Sequence, residues 1–135
     1  MQSRRLPLFL PVLLAVLVGC AASQPTLRPA DLPEHAVESP IVLHWRIDRA
    51  PDRATAVGLV EIPQNPDRVD MVMVELQGID GQGRITHRAR DLVSSRSFTG
   101  AEPWPFTVSV KLTGTEERFV VRVAEIGWRK QMTGR

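Results

Sequence analysis

Tyrosine is absent from this sequence, and cysteine occurs once, at position 20. A lone cysteine cannot close an internal disulfide or supply the paired thiolates of a redox or zinc motif. Aromatic residues make up 5% of the chain, too few for an extended sugar-stacking platform. None of the three histidines, His35, His44 and His87, stands at metal-ligand spacing from another histidine, from the cysteine or from a carboxylate, so no metal site is expected. No Gly-x-Ser-x-Gly occurs, which leaves a nucleophile with an arranged base unsupported. Asp80-Gly81-Gln82-Gly83 has two glycines of a nucleotide loop but neither the third nor a following helix, and reads as a hairpin turn. Charge of one sign is also missing. Of 17 basic residues against 15 acidic, Arg4 and Arg5 precede an apolar run; without them 15 of each remain, and no overall field would attract nucleic acid. These absences argue against an enzyme, a cofactor and a small-molecule substrate.

What is present begins at the amino terminus. Leu6 to Val18 is a 13-residue stretch without charge behind the basic Met1–Arg5. A basic start followed by such a run is the pattern of a secretory signal peptide. Counted through Ala22 the run reaches 17 residues, at the lower limit for a spanning helix. It ends on Leu17-Val18-Gly19-Cys20, followed by Ala21-Ala22-Ser23. This segment resembles the lipobox of bacterial lipoproteins, matching at each defining position. The resemblance implies cleavage between Gly19 and Cys20, a diacylglycerol on the Cys20 sulfur and an acylated new amino group. A thiol suits that role because it is the strongest nucleophile among the side chains at hand. One acyl chain holds a protein only reversibly, and each further buried methylene adds about 0.8 kcal/mol, so two or three chains make release negligible. Alanine after the cysteine resembles the pattern sent to the outer membrane in two-membrane bacteria.

Residues 21–36 carry Pro25, Pro29 and Pro33 at every fourth position. Proline fixes φ and lacks an N–H, so neither helix nor sheet accommodates this spacing. The expectation is a flexible Pro-rich tether over residues 20–36, extended at about 3.1 Å per residue to roughly 50 Å.

From Val37 onward the period changes to two. Ile41, Leu43, Trp45 and Ile47 share one face of a strand, with Val42, His44, Arg46 and Asp48 on the other. A second strand is expected over Ala54–Ile62, with Gly58 marking a bulge or a close approach. Val69–Asp80 is apolar in both phases and reads as a central strand buried on both sides at its start. Arg84–Val93 is a weaker strand, and Arg88–Ser97 could hide a helical turn. Phe106, Val108, Val110 and Leu112 alternate cleanly with polar residues, and a last strand runs through Arg118–Trp128. Short strands with turns every 8–12 residues point to an all-β fold: a small antiparallel immunoglobulin-like β-sandwich over residues 37–130, with 131–135 a disordered tail. Gly58-Leu59-Val60-Glu61-Ile62, the Asn65 loop and the run from Val69 to Gly83 are similar to FxLYD-type immunoglobulin-like domains of the bacterial envelope. That resemblance implies a sandwich rather than any activity.

Few side chains stand out as binding candidates. Arg84, Arg88 and Arg90 fall on one phase of the fourth strand, either a solvated face or a stripe for phosphates, since guanidinium forks grip phosphate bidentately. Trp104, between Pro103 and Pro105, either lids the end of the sandwich or offers a ring to a partner. Met71 and Met73 share a strand face and read as core. The functional expectation is a lipid-anchored envelope lipoprotein, its membrane contact made through Cys20. Its sandwich would serve as a non-catalytic binding or assembly module for envelope proteins, with strand addition at a free sheet edge one route. The alternatives are a pilotin-like escort of an outer-membrane complex, or a binder of anionic glycolipid through the arginines.

Overall fold

The period-two pattern resolves into seven antiparallel strands in a computed structural model that describes residues 26–95 and 103–130. The expected signal peptide with Gly19, the lipidated Cys20 and the 131–135 tail lie outside the described residues. The strands are β1 (Glu34–Glu38), β2 (Ile41–Arg49), β3 (Arg53–Glu61), β4 (Val69–Asp80), β5 (Ile85–Ser94), β6 (Trp104–Lys111) and β7 (Glu116–Trp128). They form two sheets, ordered β1-β2-β3-β6 and β5-β4-β7, packed face to face as a small all-β sandwich. The four-plus-three division is that of an immunoglobulin constant-type domain. The order is its own: here the β2–β3 hairpin stays within one sheet, where an immunoglobulin domain sends its third strand to the other.

Strand β1 is not expected from the sequence. EHAVE carries charge at both ends and follows Pro33, so its alternation is weak. It forms because β2 offers it a ladder, from Glu34 opposite Trp45 to Glu38 opposite Ile41, around a turn with a cis Ser39–Pro40 peptide. The fold therefore starts earlier than Val37. A 3-10 turn at Pro29–Asp31 is clamped by the Arg28 guanidinium on the Asp31 carboxylate, and Leu32 behind it is buried. The expected tether to Ala36 thus shortens to Ala21–Arg28 at most.

The core lies between the sheets. Ile41, Leu43, Ala54, Ala56, Val60, Phe106, Val108 and Val110 from one sheet meet Val72, Val74, Leu76, Val93, Val121 and Val123 from the other, with Trp45 and Ile47 packed against them. All of it falls between Leu32 and Ile126. Gly58 marks a close approach, one of its two expected meanings. It pairs with Phe106, whose ring lies over it, and an added Cβ would stand 2.6 Å from Phe106 Cζ and against the His44 carbonyl oxygen. Strand β4 is central as expected, flanked by β5 and β7. Its two-sided burial, however, falls on the second half, Val74–Ile79, rather than at its start. Arg88–Ser94 is strand, with no helical turn.

The two open sides of the sandwich are closed alike. On one, Asp91 Oδ2 of β5 accepts the Thr107 N–H of β6 at 3.2 Å. On the other, Glu38 Oε1 of β1 accepts the Val123 N–H of β7 at 3.2 Å. In each case a carboxylate from one sheet's edge satisfies a backbone donor on the other's, which removes that donor from an exposed edge.

The antiparallel registers give the body two poles. The chain enters at the pole holding the β2–β3, β4–β5 and β6–β7 turns, where β1 begins. Arg49 places its guanidinium 5.0 Å from the centre of the Phe119 ring there. The opposite pole holds Ser39–Pro40, the β3–β4 loop and the end of β7.

Candidate functional site

Alternation along β4 sends Val72, Val74 and Leu76 into the core and leaves Met71, Met73, Glu75, Gln77 and Ile79 on the outer face of the three-stranded sheet. Register then decides who flanks them. Glu75 lies opposite Arg90 on β5 and Arg122 on β7; Gln77 lies opposite Arg88 and Val120; Ile79 lies opposite Arg118. Four arginines from two edge strands thereby frame one carboxylate on the central strand.

Glu75 is 1% exposed yet charged. Arg90 Nε donates to its Oε2 at 2.7 Å, Gln77 Nε2 donates to Oε1, and Arg122 Nη1 stands 3.9 Å away. Burial pushes the carboxyl up, but the hydrogen bonds from Arg90 and Gln77 and the charges of Arg90 and Arg122 outweigh it and hold the group below the usual carboxylate range. The long arginine stems on either flank shield the central column while their heads stay in water. Arg88 and Arg118 are exposed and make no ion pair with any described residue. The face carries one further carboxylate, Glu125, opposite Met73 towards the far pole. Positive charge is therefore in excess at the centre and at the end where the chain enters. Apolar Met73 and the half-exposed Leu92 lie beyond it.

Of the arginines singled out in the sequence, Arg88 and Arg90 share this face as expected. Arg84 does not. It sits in the turn before β5, where Asp80 accepts its backbone N–H and, at 3.0 Å, its Nε–H. Arg118 and Arg122 complete the face and were missed. Their spacing of four within RFVVRV keeps them on one phase, but only the β4–β7 register reveals that this phase joins Arg88 and Arg90. Trp104 is not an exposed ring. It opens β6, is 5% exposed and belongs to the core, because the alternation of that strand extends one turn of the pleat beyond Phe106. Met71 and Met73, expected in the core, are half-buried on the outer face, where Met71 covers Gly127.

Histidine placement also differs from expectation. His35 is on β1 opposite His44, with ring centroids 6.3 Å apart, and His44 Nε2 lies 3.1 Å from Glu61 Oε2. Unrecognised β1 hid this meeting. Among the described residues no group of three or more histidines, cysteines and carboxylates could hold a metal ion. A shallow apolar hollow of about 170 Å³ lies at the β1–β2 turn between Val37, Pro40, Val42 and Pro63. Both seams between the sheets are latched, and β7 carries a bulge beside its latch at Val123, so neither seam offers a long free edge for strand addition. Among the described residues no helix is long and apolar enough to cross a membrane. Compared with known protein families, curated proteins and solved structures, the chain matches none.

Proposed function

We propose that this chain is a lipid-anchored lipoprotein of the bacterial envelope whose β-sandwich is a non-catalytic binding or assembly module. The observation that carries the reading is Leu17-Val18-Gly19-Cys20 behind an uncharged run and a basic start. Its placement relative to the fold supports it. The first folded turn begins at Pro29, so eight residues, Ala21 to Arg28, separate the cysteine from it. They suffice to clear a membrane surface and little more. In a host with two membranes the alanine at 21 favours the outer membrane, with the sandwich facing the periplasm.

An anchored body would keep its entry pole nearest the acylated cysteine and leave its far pole at the greatest distance from it along the sandwich. Val37 and Trp128, 69% and 57% exposed, stand at that far pole. Val37 borders a shallow apolar hollow with Pro40, Val42 and Pro63, so this end offers apolar surface to a partner. These residues favour a protein partner that meets the module end-on, which is also the geometry an escort of an outer-membrane complex would need. The test is Cys20→Ser in the full chain. The variant is expected to stay unprocessed or to leave the lipid-anchored fraction. A variant processed and membrane-bound like the parent contradicts the reading.

A further inference from the structure

We propose that the outer face of the β5-β4-β7 sheet docks onto an anionic phospholipid surface through Arg88, Arg90, Arg118 and Arg122. The inference rests on the lipoprotein reading in one respect only, the nearness of a membrane.

Charge is the first argument. Residues 20–135 balance overall, so four arginines on one sheet face are a local concentration rather than a share of a general excess. Their single central counter-ion is buried and already spent: Glu75 accepts from Arg90 and faces Arg122, and has no surface left for a third cation. Arg88 and Arg118 make no ion pair with any described residue, and Arg90 bonds Glu75 through Nε, which leaves its outer nitrogens for a further acceptor. Guanidinium groups spread in two flanking columns over a sheet face suit a plane of phosphates better than a pocket. The two columns stand about 10 Å apart across β4, twice the strand spacing.

The second argument is what else the face carries. Leu92, on the same phase of β5 as Arg90, is 52% exposed, beside half-buried Met73. An apolar side chain at the margin of a cationic patch is the composition of a surface that lies in a lipid interface, its arginines on the headgroups and its leucine below them. Third is reach. Ala21–Arg28 holds the body within about 25 Å of its anchor, so this face can turn onto the bilayer that carries the acyl chains. The anchor would fix the chain to a membrane; the face would fix its orientation.

The experiment uses a chain beginning at Ala21, which keeps every strand and every core residue and carries no lipid. Co-flotation is measured with vesicles of phosphatidylglycerol and phosphatidylethanolamine, and with phosphatidylcholine alone. Binding is expected to the anionic vesicles only, and to fade as salt rises from about 0.1 M to about 1 M, where the Debye length contracts from about 10 Å to about 3 Å. The double variant R88S/R118S is expected to bind about 25-fold more weakly, at roughly fivefold per arginine. These positions are exposed and unpaired, so the fold is kept, which an unchanged thermal transition verifies. The variant R53S, at the start of β3 in the other sheet, loses charge without loss of binding. The variant R88K/R118K binds like the parent, because a lipid surface reads charge whereas a bidentate site would reject lysine.

Failure to float with anionic vesicles overturns the proposal and leaves the face to an acidic protein or polymer. Equal losses in R53S and in R88S/R118S, or loss in the lysine pair, overturn it as well. Since this chain has no acyl group, either result leaves the anchor untouched. An unacylated native amino terminus would remove the anchor without touching this result.

Discussion

Glu116 shows how much one carboxylate does in this fold. At the start of β7 it accepts the Thr113 N–H at 2.8 Å, the Thr113 hydroxyl at 2.7 Å, the Thr86 hydroxyl at 2.9 Å and, on its other oxygen, the Gly114 N–H at 3.0 Å. The backbone bond from Thr113 leads; burial pushes the other way, and the hydroxyls restore the balance, so its pKa falls to about 2. A carboxyl lowered in the folded state stabilises that state fully above its unfolded pKa, near 4.5, and ceases to do so as pH falls through about 2. Denaturant midpoints of the parent should therefore drop across that window, and those of Glu116→Gln should drop less; parallel curves would contradict the assignment. Gly58 is the second single residue on which packing turns. A methyl there meets the His44 carbonyl and the Phe106 ring, neither of which is a flexible tip. Gly58→Ala is expected to cost about 2–3 kcal/mol in equilibrium unfolding, and a loss under about 0.5 kcal/mol, the ordinary range for a surface change, would show that the ring can move aside.

Elements were legible where burial is one-sided and failed where a partner decides. Strands β2, β3, β6 and β7 announce themselves through alternation, and β4 through its apolar run. Strand β1 does not, because three of its five residues are polar and its order comes from the β2 ladder. The arginine face was half legible for the same reason. Phase within a strand can be read along the chain, so Arg88 and Arg90 were found together, but the pairing of β4 with β7 that adds Arg118 and Arg122 is a non-local fact. Arg84 was misplaced because a turn ends the phase: Asp80 gathers the Gln82 and Arg84 N–H groups and Gly83 takes φ +79°. At this scale the two latches between sheets can be tested. Removing Asp91 or Glu38 as alanine leaves the Thr107 or Val123 N–H open at an edge, at a cost of about 1 kcal/mol each. The double variant is also expected to self-associate, measured by light scattering as a rising apparent mass with concentration. A strictly monomeric double variant of parental stability would show that the latches are incidental.

On the scale of the whole molecule, polarity along the sandwich axis ties the parts together. The entry of the chain and the positive end of the arginine face lie towards one pole, and exposed Val37 and Trp128 lie towards the other. That arrangement has meaning only if the first pole is fastened to a bilayer, which depends on residues outside the folded body. No feature of the sandwich bears on the proposed anchor, and nothing in residues 1–20 bears on the arginine face. The most direct measurement is the intact mass of the native protein extracted from membranes. A chain beginning at Cys20 with the added mass of a diacylglycerol and an amide-linked acyl group is the predicted result. A native chain beginning elsewhere, or beginning at Cys20 with no acyl mass, would contradict the account.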